Sequence, residues 1–249
     1  YYTATLGKGL DVLEALAEVE EIALTELAAR LKSSNATLFR ILATLVHRGY
    51  VEKLPRSGHY RLTLRAWQIG SRALGRVGLR SVALEPMRTL AAKVNESPHL
   101  GVLEGSGVII VEKIECRQPV RVDTYVGQRA PAHCSALGKI ILAFASPETV
   151  EAAWLPQRFT RNTVILREAF DRELAHVRRQ GYAVNRGEWR DGVCAVAVPL
   201  SDHSGKVAAG LSLTMPTARF DDAALQKILL PALQRTREAI EQALGSGPR

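Results

Sequence analysis

Residues 25–49 have the sequence TELAARLKSSNATLFRILATLVHRG, a pattern that predicts two helices separated by a short break. Thr25 is a good N-cap residue for the first, short helix. Residues 32–34 interrupt the apolar spacing and supply a second cap. The second helix begins at Asn35 and stops at Gly49, a residue type that often ends helices. This arrangement is typical of a helix-turn-helix.

The second of these helices has an apolar face and a more polar one. Its apolar positions recur at helical spacing and should pack on the other helices: Leu38, Ile41, Leu42, Leu45 and Val46. The opposite face carries small polar groups and one arginine at the helix start, which is the chemistry of a major-groove reader. We expect four residues of this face to read bases and a fifth to hold phosphate. They are Asn35, Thr37, Phe39 and Arg40 for bases and Ser34 for phosphate.

A further helix precedes this pair and a short hairpin follows it. The earlier helix covers about residues 9–19, with an apolar stripe predicted at Leu10, Leu13, Leu16 and Ala17. Residues 50–62 are typical of two short strands joined by a tight turn with Arg56 at its tip. Three helices followed by a basic hairpin predict a winged helix-turn-helix. In this module Arg56 and Arg61 are expected to contact phosphate.

The charge is concentrated in the same part of the chain. The net charge is +8, but residues 1–21 carry −4, residues 22–80 carry +9 and the remainder carries only +3. A concentrated basic block is the electrostatic signature of a nucleic-acid surface. The alternative is a solvated basic face that serves solubility alone.

The composition is that of an ordinary globular chain. It is 47% hydrophobic and 23% charged, which excludes a wholly disordered or fibrous protein, and 249 residues favour two domains. No apolar run approaches the roughly 18 residues of a membrane span, and no signal-peptide pattern is present. The three cysteines lie far apart without a C-x-x-C pair, which argues against a zinc or disulfide framework. We expect a cytoplasmic protein without a membrane partner.

The rest of the chain predicts a linker and an α+β domain with a mainly antiparallel sheet. Residues 64–80 have the pattern of a linker helix whose apolar side chains pack on a partner subunit or, alternatively, on the chain's own second domain. Interleaved strands and helices follow, as in a sensor-type domain. The predicted helices cover residues 82–94, 135–145, 167–181 and 221–244, and the predicted strands cover residues 100–104, 108–111, 120–125, 194–200 and 206–214.

One place in the second domain could bind an anion. The helix that begins after Ser135 has the free amides of Ala136 and Leu137 at its start, and helix N-termini favour negative charge. Ser212 and Thr214 are two residues apart on a strand, so both hydroxyls lie on one side of the sheet. If that side faces the helix start, a small polar pocket for a carboxylate results. The alternative is that both hydroxyls face solvent.

An enzyme is a weaker interpretation of this sequence. His133 precedes Cys134, but adjacent residues on an extended chain point in opposite directions, so the imidazole is poorly placed to activate the thiol. The motifs of hydrolases, zinc proteases and nucleotide-binding enzymes are missing, and the six histidines are dispersed. We therefore expect no catalytic residue, no metal site and no cofactor.

The chain resembles the IclR family of bacterial transcriptional regulators along nearly its whole length. The resemblance is carried first by LTELAARLKSSNATLFRILATLVHRGYV at 24–51 and YRL at 60–62. It continues with VGQRAPAHCSALGK at 126–139, GYA at 181–183, EWRDGV at 188–193, AVPLSD at 197–202 and LSL at 211–213. Chance is a poor explanation for so many matching segments in the same order.

The resemblance implies a winged-helix DNA-binding domain joined by a linker helix to a GAF-like effector domain. Such proteins typically bind operators as dimers or tetramers, act as repressors or activators, and sense small organic acids, aromatic acids or sugar-acid breakdown products. Matched residue by residue, the family's pocket positions are Ala136, Leu137, Asn185, Val193, Ala195, Ser212 and Thr214.

Three departures from the family pattern bear on these expectations. The usual Gly-Leu of the helix-turn-helix corner is Lys32-Ser33 here, which predicts a differently built corner. Asn185 stands where some relatives have an acid, and Ala195 stands where some have a cysteine, with Cys194 one place earlier. These changes predict a less acidic and slightly roomier pocket.

Together these observations predict a ligand-responsive transcriptional regulator that forms a homodimer or homotetramer and binds double-stranded operator DNA. The helix-turn-helix lies at about 24–45 within a DNA-binding domain of residues 1–63, with the linker at 64–80 and an effector domain at 81–249. Two alternatives from other classes are a metabolite-binding protein without specific DNA recognition and a Cys-dependent enzyme.

Overall fold

The computed structural model describes residues 2–69, 78–202 and 204–245 of the chain. It divides into two compact units, Tyr1–Arg76 and Val77–Arg249. Residues 65–69 are helical, in agreement with the start of the predicted linker helix. The centre of that linker, at 70–77, lies outside the described residues.

The first unit contains three helices and a two-stranded hairpin. The elements are α1 Ala4–Ala17, α2 Leu24–Arg30, α3 Asn35–His47, β1 Val51–Lys53 and β2 Tyr60–Leu62. The strands pair antiparallel, and Ile22 forms an additional bridge with Tyr60. The predicted winged helix-turn-helix is therefore confirmed as a fold.

Two local predictions for this unit are wrong. Helix α2 begins at Leu24 with Ala23 as its N-cap residue, so Thr25 lies inside the helix. The bridge between Ile22 and Tyr60 explains this, because it fixes the chain in extended form immediately before the helix. In α1 the buried side chains are Val12, Ala15 and Leu16, whereas Leu10 and Ala17 of the predicted stripe are exposed.

The corner between α2 and α3 is built with a lysine in an unusual conformation. Lys32 has a φ of 47°, in the left-handed region where glycine is usually found. The chain then enters α3 through Ser34, whose Oγ accepts a hydrogen bond from the Thr37 amide at 3.3 Å. The Lys32-Ser33 corner therefore has a left-handed turn without glycine, at some cost in backbone strain.

The second unit is a six-stranded antiparallel sheet with helices on both faces. The strands are β3 Ser97–Glu104, β4 Gly107–Lys113, β5 Arg129–Pro131, β6 Ala183–Arg186, β7 Val193–Ser201 and β8 Val207–Pro216. The helices are α4 Leu79–Val94, α5 Ala136–Ala143, α6 Pro147–Ala153, α7 Arg167–Gln180, α8 Asp222–Ala224 and α9 Leu230–Ala243, with a π-helical segment, Leu225–Leu229, between the last two. The strand order is β5-β4-β3-β8-β7-β6. Helix α5, with α7 packed against it, covers one face of the sheet, and α4 and α9 cover the other.

The predicted α+β class is confirmed, with one strand misplaced. Residues 120–125 form no strand, and the segment that pairs with β4 is Arg129–Pro131. Within 120–125 the Thr124 hydroxyl is hydrogen-bonded to the His99 ring at 2.7 Å. Side-chain contacts rather than a strand ladder therefore hold this segment, and a hydrophobic pattern alone does not distinguish the two.

Glycines allow α5 to lie close against its surroundings. A Cβ added at Gly210 on β8 would lie 3.0 Å from Leu137 and 3.1 Å from Ile140. A Cβ at Gly138 would overlap the backbone of Ala132, which belongs to the turn before the helix. The absence of side chains at these two positions places the N-terminus of α5 directly over the sheet.

Candidate functional site

The exposed face of α3 carries most of the predicted base-reading residues. Asn35 and Arg40 are exposed, and Phe39 has 54% of its surface accessible despite its large apolar ring. Thr37 is half-buried, and its hydroxyl lies 2.9 Å from Ser34 Oγ. Ser34 and Thr37 are therefore engaged in capping α3, while the other three side chains point into solvent.

The apolar stripe of α3 forms the inner side of the same helix. Leu38, Ile41 and Leu42 are buried in the core of the first unit, as predicted. Leu45 is half-buried, and Val46 has 38% of its surface exposed, so the stripe narrows toward the C-terminus. This packing fixes which face of α3 is presented outward.

The wing is the hairpin formed by β1 and β2. Of its two arginines predicted to contact phosphate, one has no ion-pair partner among the described residues. Arg56 is exposed in the turn between β1 and β2, and no acidic side chain of the described residues pairs with it. Arg61 lies opposite Glu52 in the hairpin register, and its Nε donates to the Glu52 carboxylate at 2.6 Å. Arg61 is thus ion-paired with Glu52 in this structure, an interaction that the sequence prediction missed.

The second unit contains a small cavity between the start of α5 and the sheet. Its volume is about 50 Å³. All seven residues predicted for the pocket line it: Ala136, Leu137, Asn185, Val193, Ala195, Ser212 and Thr214. The structure thus brings these positions together, and the hydroxyl-bearing strand β8 faces α5 rather than bulk solvent.

The start of α5 supplies free amides at this cavity. Ser135 Oγ caps the helix by accepting from the Gly138 amide at 3.1 Å. Ala136 and Leu137 occupy the first turn, where an amide has no intrahelical acceptor. An anion in the cavity would therefore meet the positive end of the helix dipole.

Asn185 lines the cavity but its amide group is already used. Its Nδ2 donates to the Cys134 carbonyl at 3.0 Å, and its Oδ1 accepts from the Glu188 amide at 2.9 Å. Asn185 therefore joins the turn before α5 to the segment that follows β6. Ala195 lies on the wall, whereas Cys194 contacts Thr217 Oγ1 at 3.4 Å and does not line the cavity.

Several lining residues were absent from the sequence prediction. They are His99, Ile110, Val122, Thr124, Ala130, Ser135, Trp189 and Arg190. Arg190 is exposed and its guanidinium lies 4.5 Å from the Trp189 ring centroid, a cation–π distance. The only sequence signal for the pair was that both follow Glu188 in a matched family segment. No sequence signal indicated His99, because its position at the cavity depends on the register between β3 and β8.

A buried ionic cluster supports the wall of the cavity. Lys139 on α5 is fully buried, and its Nζ donates to Glu188 at 2.6 and 2.9 Å and to Glu173 on α7 at 2.5 Å. It also donates to the Val184 carbonyl at 2.6 Å. Burial raises the pKa of Glu188, and the charge of Lys139 opposes that shift. The cluster holds the segment that carries Trp189 and Arg190 against α5.

The structure does not favour a cysteine nucleophile. Cys134 is completely buried, and burial raises the pKa of its thiol to about 12. The ring of His133 contacts the Gln157 carbonyl at 3.0 Å instead of the thiol. Among the described residues, no group of three or more His, Cys, Asp or Glu side chains is placed to hold a metal ion.

The described part of the chain also contains no helix that is both long enough and apolar enough to cross a bilayer.

A winged helix-turn-helix combined with a cavity-bearing sensor-type unit defines the class of ligand-responsive DNA-binding regulators. The model of the IclR helix-turn-helix domain matches residues 5–55, and that of the bacterial transcriptional regulator IclR C-terminal domain matches residues 71–242. The chain belongs to the IclR family of bacterial transcriptional regulators.

Named relatives and solved structures agree with this assignment. The chain is 36% identical to the HTH-type transcriptional regulator KdgR of Escherichia coli, covering 88% of this chain and 85% of the relative. It is 33% identical to XynR of the same organism, covering 97% of each. An IclR homologue from Microbacterium hydrocarbonoxydans, solved in complex with 4-hydroxybenzoate, is 28% identical with a TM-score of 0.84 and covers 96% of this chain and 98% of its own.

Proposed function

We propose that α3 and the wing bind operator DNA and that the cavity beside α5 binds a small carboxylate effector, which changes operator affinity. The observation that supports this most directly is that seven positions dispersed over 79 residues of sequence, from Ala136 to Thr214, line one cavity. The chain is a transcriptional regulator by family, so the effector site and the DNA contacts are the parts to test.

The DNA contacts follow from which side chains are free. Asn35, Phe39 and Arg40 project from the first turns of α3, the part of a recognition helix that meets base edges. Ser34 and Thr37 fix the helix start, where free amides suit a phosphate. Arg56 is free for phosphate, whereas Arg61 first has to leave Glu52 or use its outer nitrogens.

We expect Arg40→Ala and Arg56→Ala to weaken operator binding in different ways. Arg40→Ala should lose about 1–3 kcal/mol of discrimination at one base position, because a base contact disappears. Arg56→Ala should weaken all sequences about equally and reduce the salt dependence of binding by about one phosphate contact. Binding to single-base operator variants at several salt concentrations measures both effects. Unchanged discrimination by Arg40→Ala would contradict its base-reading role.

The effector is inferred to be a carboxylate because of the charges at the cavity. The α5 amides and the exposed Arg190 are the positive groups, and the described lining residues include no acidic side chain. The solved homologue that binds 4-hydroxybenzoate is consistent with such a ligand. A volume of about 50 Å³ holds only a few water molecules, so the walls must move apart to admit an organic acid.

We expect a specific acid to stabilise the protein measurably. An effector at 100 times its Kd raises the free energy of unfolding by about 2.7 kcal/mol. Thermal unfolding against a panel of acids measures this. Ala195→Leu, on the cavity wall, should abolish the shift, whereas Ala208→Leu, at an exposed position of β8, should keep it. A shift that survives in Ala195→Leu would place the acid elsewhere.

The proposed regulator is a homodimer or homotetramer in the bacterial cytoplasm. Leu6 and Leu10 lie four residues apart on α1 and expose 65% and 52% of their surfaces, and Tyr2, just before the helix, exposes 83%; this apolar patch is suited to a second copy of the chain. We propose the boundaries 1–63, 64–80 and 81–249 for the DNA-binding domain, linker and effector domain. A sedimented mass of a single chain would contradict the oligomer.

A further inference from the structure

The cavity has uncharged polar groups on the wall formed by the sheet. His99 on β3 and Ser212 on β8 are directly opposite each other in the antiparallel register. Both are 1% exposed and both line the cavity. Opposed residues on one face of a sheet have Cβ atoms about 4.5–5.5 Å apart, so one ligand atom can reach both side chains.

His99 is incompletely hydrogen-bonded in this position. Its Nε2 contacts the Thr124 hydroxyl at 2.7 Å, whereas its buried Nδ1 has only a weak contact with the Ser97 backbone and no hydrogen bond of ordinary geometry. A buried polar atom left unpaired costs free energy, which an incoming ligand oxygen could recover. Ser212 lines the cavity, and its Oγ makes no hydrogen bond within the described residues, so this wall has unused hydrogen-bonding capacity.

The imidazole at this wall is neutral at physiological pH. Burial lowers the pKa of His99 to about 4, the charge of Lys113 lowers it further, and the Ser97 backbone opposes the shift. A neutral imidazole has one donor and one acceptor nitrogen, which suits a hydroxyl or carbonyl group. It cannot neutralise a carboxylate, which would be costly to bury beside it.

The positive groups lie on other parts of the lining. The free amides belong to the start of α5, which packs over the sheet, and Arg190 belongs to the segment before β7. A ligand carboxylate is stabilised there rather than beside His99. The two kinds of wall therefore distinguish the two ends of a bound molecule.

We propose that His99, together with Ser212, is a specificity-determining residue that binds an uncharged oxygen of the effector at the end away from its carboxylate. This inference rests on the proposed effector site. It narrows the effector to a monocarboxylate that carries a hydroxyl or carbonyl group, and it disfavours dicarboxylates and wholly apolar acids.

Two matched sets of acids test the proposal. Benzoate, 4-hydroxybenzoate and terephthalate differ only at the end opposite one carboxylate, as do butanoate, 4-hydroxybutanoate and succinate. In titration calorimetry with the full chain, the hydroxyl member of at least one set should bind about five- to tenfold more tightly than the unsubstituted member. The dicarboxylate should bind most weakly. Tighter binding of the dicarboxylate, or equal binding of the first two members in both sets, would overturn the proposal.

Substitutions of the residues on this wall test whether His99 causes the preference for the hydroxyl-bearing acid. His99→Leu should reduce the hydroxyl preference to less than about twofold while still binding the unsubstituted acid. His99→Gln keeps a neutral donor and acceptor and should retain part of the preference, and Ser212→Ala gives a second test if His99→Leu fails to fold. A full preference in both His99→Leu and Ser212→Ala would overturn the proposal. Failure of all six acids to bind the unmodified protein would overturn the carboxylate site as well.

Discussion

Replacing Lys139 by methionine is expected to lower the free energy of unfolding by about 3–5 kcal/mol. The substitution removes the only cation from a buried cluster and leaves Glu188, which has 9% of its side chain exposed, without its ion-pair partner. Glu173 loses the same partner, but it is 27% exposed and can be hydrated in part. Chemical denaturation of the two proteins measures the difference.

The loss should also depend on pH, with a definite sign. Burial already raises the pKa of Glu188, and removing Lys139 removes the charge that opposes this shift. A carboxyl whose folded pKa lies above its unfolded value stabilises the fold at low pH, and that stabilisation is lost as pH rises through the folded pKa. The variant should therefore be more strongly destabilised at pH 8 than at pH 5.

An exposed ion pair provides the matched control. Arg88 and Glu85 form a pair on α4 whose side chains are 58% and 75% exposed. Arg88→Met removes a cation in the same way, but solvent screens the remaining charge, so the change should stay within about 0.5–1 kcal/mol. A loss below about 1 kcal/mol for Lys139→Met would show that the cluster does not support the fold.

Gly138→Ala is expected to destabilise the protein by about 1–3 kcal/mol, although alanine is the better helix former. The backbone of Gly138 is helical, so substitution alone should gain about 0.5–1 kcal/mol. The added Cβ would overlap the carbonyl and Cα of Ala132, and backbone atoms cannot move aside as a flexible side chain can. The strain should appear both in the denaturation midpoint and in weaker effector binding, because α5 has to shift at the cavity.

Gly9→Ala is the control with the opposite expected sign. Gly9 also lies within a helix, α1, but a Cβ there would lie 4.0 Å from the nearest atom, Ile41 Cγ2, an ordinary contact. This variant should be more stable by about 0.5–1 kcal/mol. If both glycine variants were stabilised, close packing of α5 against the Ala132 turn would not limit the fold.

The Lys139 cluster and Asn185 also connect the proposed effector site to the rest of its unit. Lys139 joins α5 to α7 through Glu173, and Asn185 joins the turn before α5 to the segment after β6. An effector that moves the start of α5 or the Trp189 segment therefore acts on groups bonded to several elements. This gives effector binding a route by which it can change more than the cavity itself.

Local patterns in the sequence were sufficient to predict several elements. The spacing of Leu38, Ile41 and Leu42 defined the inner face of α3, and Ser34 and Gly49 marked its ends. These signals depend only on residues a few positions apart. The misplaced strand at 120–125 shows their limit, since a short apolar run does not indicate whether a strand partner exists.

The sequence by itself determined the winged helix-turn-helix, the α+β class and the family, because helical and strand periodicity and ordered motifs are local properties. It also placed Ser212 and Thr214 on one side of their strand. Only the tertiary structure decided that His99 lies opposite Ser212, that Arg61 is paired with Glu52 and that Lys139 meets Glu188 across 49 residues of sequence. Strand register and the packing of α5 on the sheet bring these groups together, and both arise from the burial of apolar surface over the whole unit rather than from any short segment.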